Sequence, residues 1–170
     1  MSSIFSVVAI EGLSSSERRG LAFLRCVDSK EINAESVYEA LSDKLRRDVL
    51  SRFDHWILGQ ICDKYFHGWP NAVDRKDCFV FKYKKANADQ RLYGFLTNPK
   101  TASAPSFQVC VLVSHTQKTT GDTDPAQLSL INRLRVDEKV VKAVRLAYSD
   151  IESKEKRRHA PQKTLERGKR

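Results

Sequence analysis

The sequence predicts an α+β fold: an antiparallel sheet, a long helix from the first half of the chain and C-terminal helices packed against it. Three observations carry this. Apolar residues fall at i+4 spacing at Val37, Leu41, Leu45, Val49, Phe53 and Ile57, the stripe of a helix with one buried face. Three short β-rich runs, "CFVFKY", "RLYGFL" and "FQVCVLV", follow one another across polar or proline-bearing connections, as consecutive antiparallel strands do. Two more helical patterns come after them, so strands and helices are segregated rather than alternating.

In order, "IFSVVAI" (Ile4 to Ile10) reads as a first strand, broken by "SSSERRG". "LAFLRCV" (Leu21 to Val27) reads as a second strand pairing with it, and "DSKEINAE" as a turn. The i+4 series predicts one helix from Ser36 to about Gln60, with Ala40, Leu50 and Trp56 widening the stripe and Asp43, Lys44, Arg46, Arg47 and Asp48 opposite. "FHGWPN" ends this region, because Gly68, Pro70 and Asn71 are breakers. Cys78–Tyr83, Arg91–Leu96 and Phe107–Val113 are then strands, with "KKANADQ" as a polar hairpin connection and "TNPKTASAPS" as a loop. The third is the most apolar and is expected at the centre of the sheet. Pro125 follows Asp124, an N-cap type, and opens a helix with Leu128, Ile131 and Leu134 on one side. "DEKVVKAVRLAY" gives another, with Val140, Val141, Val144 and Tyr148. The helices are expected on one face of the sheet.

A chain of 170 residues suits a single domain, read here as residues 1–150 with an appended tail over 151–170. No apolar run approaches the ~20 residues of a membrane helix, so no membrane partner is expected. No basic segment precedes the first apolar run, which therefore reads as a strand rather than a secretion signal. Cys26, Cys62, Cys78 and Cys110 form no CxxC pair, which points to reduced thiols and a cytoplasmic setting. Cys62 and His67 lack the paired spacing of a zinc site, so neither a metal nor a cofactor is expected. Formal charge is +9, of which the tail holds +5 through eight Lys or Arg against three Glu. Such a tail suits salt-sensitive attraction to nucleic acid, or serves only as a solubilising end.

Three segments carry polar groups toward one end of the sheet. Lys82, Lys84 and Lys85 end the first strand of the hairpin, Arg91 and Tyr93 begin its return, and His115 and Lys118 follow the third strand. Residues two apart share a face, as do Lys82 with Lys84 and Arg91 with Tyr93. The start of one antiparallel strand neighbours the end of the next. Arg91, His115 and Lys118 are therefore expected to converge on one concave surface, with Lys82 at its edge. Such a patch suits cleavage of an RNA phosphodiester. Lys and Arg stabilise the charge of the pentacovalent transition state without a metal, and His, Tyr or Lys move protons. Each residue also has a plain reading. Arg91 then forms a surface cross-strand ion pair with Asp89 or a glutamate, His115 is a strand-end imidazole capped by backbone, Lys118 is a solvated ammonium and Tyr93 is a ring packed in the sheet. The segment "DHWILGQICDKYFHGWP", with His55, Trp56, His67 and Trp69, either stacks bases or closes the core.

"RLYGFL", a short loop, "VCVLVSHTQKTT" and "DPAQLSLINRL" together resemble the C-terminal half of RelE/HigB-type toxins of bacterial toxin–antitoxin pairs. The matching residues are Arg91 and the run Thr116, Gln117, Lys118 and Thr119, with Lys82 where many members carry a basic residue. The likeness covers about Cys78 to Leu134 and implies a toxin-like core over about residues 36–135. Ser114 and His115 stand where the family has a lysine pair, and "TGDTD" is inserted before Pro125. The resemblance implies a metal-independent endoribonuclease acting on mRNA, often at the ribosome, and held inactive by a cognate antitoxin. Arg91, His115 and Lys118 would then be catalytic, and Lys82, Lys84, Lys85 and Tyr93 would contact RNA. The rival reading is a non-catalytic protein of phage or mobile-element origin that uses the same fold to bind nucleic acid or a partner.

Overall fold

A computed structural model of the chain describes residues 4–119 and 123–158, with 150–158 described by backbone alone. In chain order the elements are β1 (Phe5–Ala9), β2 (Arg19–Cys26), α1 (Ala34–Glu39), α2 (Asp43–Ile57), β3 (Phe66–Gly68), β4 (Cys78–Lys85), β5 (Ala88–Thr97), β6 (Gln108–Gln117), α3 (Pro125–Val136) and α4 (Glu138–Arg158). The strands form one six-stranded sheet in the order β1-β2-β6-β5-β4-β3. Among the described residues β2 and β6 run parallel and every other neighbouring pair of strands is antiparallel. The fold is α+β, and β6 lies inside the sheet as its unbroken apolar run predicts.

The strands are apolar on both sides, and both sides are covered. On the first face Phe23, Phe79, Phe81, Leu92 and Leu112 pack against Tyr38, Val49, Phe53, Trp56 and Ile57 of α1 and α2. On the second face Val80, Phe95, Val109, Val111 and Val113 pack against Leu128, Ile131, Leu134, Val140, Val144 and Tyr148 of α3 and α4. The expectation of helices on one face is thus corrected. A strand buried on both sides carries no alternation from which to see that a second layer exists.

The single helix expected over Ser36–Gln60 is two helices. Ser42, at ψ 154°, caps α2, and its hydroxyl accepts from the Leu45 N–H at 3.4 Å. An i+4 stripe survives the break because Leu41 stays buried from the linking turn. "FHGWPN" is not only a terminator: Phe66–Gly68 forms the edge strand β3 against β4. The hairpin connection is also tighter than "KKANADQ". Lys85 pairs with Ala88, leaving Ala86 (φ 49°) and Asn87 (φ 63°) as a two-residue turn, the form whose twist matches its strands.

One irregularity positions everything at the far end of the sheet. Tyr93 pairs with Ser114, but Gly94 pairs with Leu112, so Val113 is an extra residue in β6. A bulge of this kind shifts the side-chain alternation by one, and every residue beyond it changes face. Gly94 allows it, since a Cβ there would run into the carbonyl oxygen of Val111. The expected tail over 151–170 is described only as α4 backbone to Arg158; its remainder lies outside the described residues.

Candidate functional site

On the second face, beyond the start of α3, the strand register lays out rows of polar groups. His67, Val80, Tyr93 and Ser114 form one row across β3, β4, β5 and β6. Lys82, Arg91 and Thr116 form the next. Lys84 pairs with Asp89 in the row after that, where the Lys118 N–H donates to the Asp89 carbonyl at 2.8 Å. Two fastenings place α3 beside these rows. The Ser114 hydroxyl donates to Gln127 Oε1 at 2.5 Å. The Asp124 carboxylate caps the helix, accepting from the Ala126 N–H at 3.0 Å.

Arg91 is half-buried between Lys82 and Thr116. Asp89, the partner expected for it in an ion pair, instead approaches Lys84 at 3.8 Å. Among the described residues no carboxylate pairs with Arg91 or Lys118. The Lys82 ammonium donates to the Asp63 carbonyl. Burial lowers the Lys82 pKa first, then the charge of Arg91; Asp63 pulls it up and Lys118 lowers it further. Arg91 and Lys118 thus both act on Lys82, with Asp63 the carboxylate that opposes them. Like charges brought together without a counter-charge leave an electrostatic demand that a bound anion satisfies.

His115 does not join them. The bulge turns it to the first face, where its Nε2 lies 2.8 Å from Gln90 Oε1 and its ring lies 6.3 Å from that of Tyr83. Its backbone N–H donates to Asn33 Oδ1 at 2.9 Å. Burial lowers its pKa, and Lys85, on the same face, lowers it further. The expected convergence of Arg91, His115 and Lys118 is therefore corrected for His115. The same one-residue shift sends Lys118 to the side of Arg91. Lys85 also lies opposite Lys82 and Lys84. Tyr93 is on the Arg91 face but only 4 % exposed. Its hydroxyl is hydrogen-bonded to the Thr116 side chain and the Asp124 backbone, and burial raises its pKa. The ring joins β5, β6 and the start of α3 and offers little surface to RNA.

The histidine that does sit at the cationic rows is His67. It is half-buried, with its ring 4.8 Å from Trp69 at an interplanar angle of 71°. Burial and then the charge of Lys82 hold its pKa down to about 4; Asp63 opposes them and Arg91 adds to them. The imidazole is therefore neutral at neutral pH. The signal for it was the short run "YFHG", whose place beside β4 is visible only once β3 is paired.

Among the described residues no three His, Cys, Asp or Glu side chains group closely enough to hold a metal ion. Cys62 packs against the first core and also acts on the charge of Lys82. The four cysteines are free thiols. No described helix is long and apolar enough to cross a membrane. A cleft of about 650 Å³ at the other end of the sheet is lined by Arg18, Arg19, Asp77, Asn98 and Gln108. Its main polar groups are already engaged: Arg19 with the Trp56 carbonyl, Asp77 with Arg135 and Asn98 with the Ala104 and Pro105 carbonyls. No protein-family model matches this chain, and no curated protein or solved structure matches it significantly.

Proposed function

We propose that this protein is a metal-independent endoribonuclease that cleaves mRNA as the toxin of a toxin–antitoxin pair, with the ribosome as a candidate setting. The observation that carries the reading is Arg91, without a carboxylate partner among the described residues, directly across from Lys82, on which the charges of Arg91 and Lys118 both act. Such a trio suits the non-bridging oxygens of a phosphodiester, whose negative charge grows in the transition state. The likeness of "RLYGFL" and "HTQKTT" to RelE/HigB-type toxins supports the choice of substrate and the expectation of a protein antitoxin. A second reading is favoured by one observation. His115 is turned away and Tyr93 is buried, which leaves a cationic surface that binds nucleic acid without cutting it.

Purified protein is incubated with mRNA, with and without ribosomes, and with a chelator present. Cleavage that persists in chelator is expected, and Arg91→Ala should slow it by about a hundredfold or more while the protein stays folded. Loss of cleavage in chelator would reject the metal-free mechanism. Salt-sensitive binding of RNA that stays whole, with no growth arrest on induced expression, would establish the binding protein instead.

A further inference from the structure

We infer that His67 is the base of this surface: its imidazole takes the proton of the ribose 2′-hydroxyl when a phosphodiester lies on Lys82 and Arg91. The inference rests on the ribonuclease reading and supplies the proton acceptor which His115 cannot provide from the other face.

The geometry comes from register. His67 stands opposite Val80, two residues from Lys82 on the same face of the adjacent strand. Side chains in that diagonal relation lie about 7–8 Å apart at the backbone, within reach of long or aromatic groups. Arg91 is directly across from Lys82. A phosphate held by Lys82 and Arg91 therefore places its attached ribose toward β3. That strand forms the edge of the sheet, so no further strand closes the approach. Trp69, edge-on to the imidazole, fixes the ring from one side.

The charges around His67 make anion binding and proton uptake one event. Burial opposes its protonation first; of the charges, Lys82 and Arg91 oppose it and Asp63 favours it. A phosphate on Lys82 and Arg91 offsets the two cations, and the imidazole becomes a stronger base when substrate arrives. In the reaction the 2′-O–H bond breaks and its proton passes to His67. The 2′-oxygen bonds to phosphorus as the bond from phosphorus to the 5′-oxygen breaks. The departing oxygen takes a proton from the Lys82 ammonium, whose acidity burial and Arg91 increase. The products are a 2′,3′-cyclic phosphate and a 5′-hydroxyl. Protonated His67 and neutral Lys82 then exchange a proton through solvent, so no oxidant, metal or further reactant is required.

The test uses the full chain, an RNA oligonucleotide and its 2′-O-methyl counterpart, which binds but lacks the attacking hydroxyl. Titration of the His67 imidazole by NMR should show its midpoint rising by about one pH unit or more when the 2′-O-methyl RNA binds. His67→Gln should slow cleavage by about a hundredfold or more and leave binding of the 2′-O-methyl RNA unchanged. An unmoved His67 midpoint in protein that cleaves RNA would overturn the inference and leave the ribonuclease reading in place. So would His67→Gln cleaving at the wild-type rate. Wild-type protein that binds both oligonucleotides and cleaves neither would overturn both.

Discussion

His67 and His115 are both half-buried imidazoles at the same end of one sheet, yet they face opposite ways and answer to different charges. Burial lowers both pKa values, with Lys82 and Arg91 adding at His67 and Lys85 at His115. This has a consequence for stability. The unfolded chain takes up protons near the ordinary histidine value of 6.5, whereas folded His67 does so only at about 4. Between those values the unfolded state binds more protons, so stability present above 6.5 is lost as pH falls toward 4. Urea midpoints measured across that window should fall with pH, and His67→Asn should make the fall shallower. Equal slopes for the two proteins would show that His67 is not held neutral by the fold. The cations of the site were legible in the sequence: Lys82, Arg91 and Lys118 lie together where strand pairing places them. His67 was not, because its role depends on a strand of three residues whose pairing is tertiary. Tyr93 was placed on the correct face, but its depth beneath α3 depends on packing that period-2 alternation does not report.

The bulge in β6 explains which side chains meet. Regular alternation from Val109 through Val113 would carry His115 to the second face and Lys118 to the first. The extra residue reverses both. The sequence held one sign of it, Gly94 inside "RLYGFL", since an isolated glycine in a strand marks a bulge or a close backbone approach. Gly94→Ala puts a Cβ against the Val111 carbonyl, and backbone cannot swing aside as a flexible side chain does. The substitution should destabilise the protein by more than about 2 kcal/mol, read from the urea midpoint; an unchanged midpoint would mean that the strands can separate there without strain. A second device fixes β6 to α1. Asn33 sends its N–H to the Val113 carbonyl at 3.0 Å and accepts the His115 N–H on its Oδ1 at 2.9 Å. It thus satisfies backbone groups at the bulge, where the ladder is interrupted. Asn33→Ala removes the acceptor and should cost about 1–3 kcal/mol, whereas Asn33→Asp should keep most of the stability. Equal loss in both variants would assign the effect to the backbone rather than to Oδ1. Strands and C-terminal helices followed from local pattern. The break at Ser42 did not, because a helix pair joined by one buried leucine preserves the same i+4 stripe.

Charge is unevenly shared along the chain. Of the formal +9, residues 151–170 hold +5, and the compact part of the molecule brings Arg91 and Lys118 close enough to act on Lys82. These two sources of attraction to RNA should separate in a salt titration. Each phosphate contact on a single strand contributes about 0.7 to the slope of log affinity against log salt. Residues 159–170, outside the described structure, include Lys163, Arg167, Lys169 and Arg170. If all four touch phosphate, removing this segment should make the slope shallower by about 3. Arg91→Ala should change it by only about 0.7, the loss of one contact. Cleavage should respond in the opposite order. The shortened protein should cut RNA at nearly the full rate once enough is present to saturate binding, while Arg91→Ala should bind and fail to cut. The measurement is therefore a salt series of binding to 2′-O-methyl RNA for the three proteins, beside single-turnover cleavage of the matching RNA. An unchanged slope on shortening would mean that the terminal basic residues do not contact RNA. A slope change with Arg91→Ala but no loss of cleavage would place Arg91 on the path of the strand and outside the reacting centre.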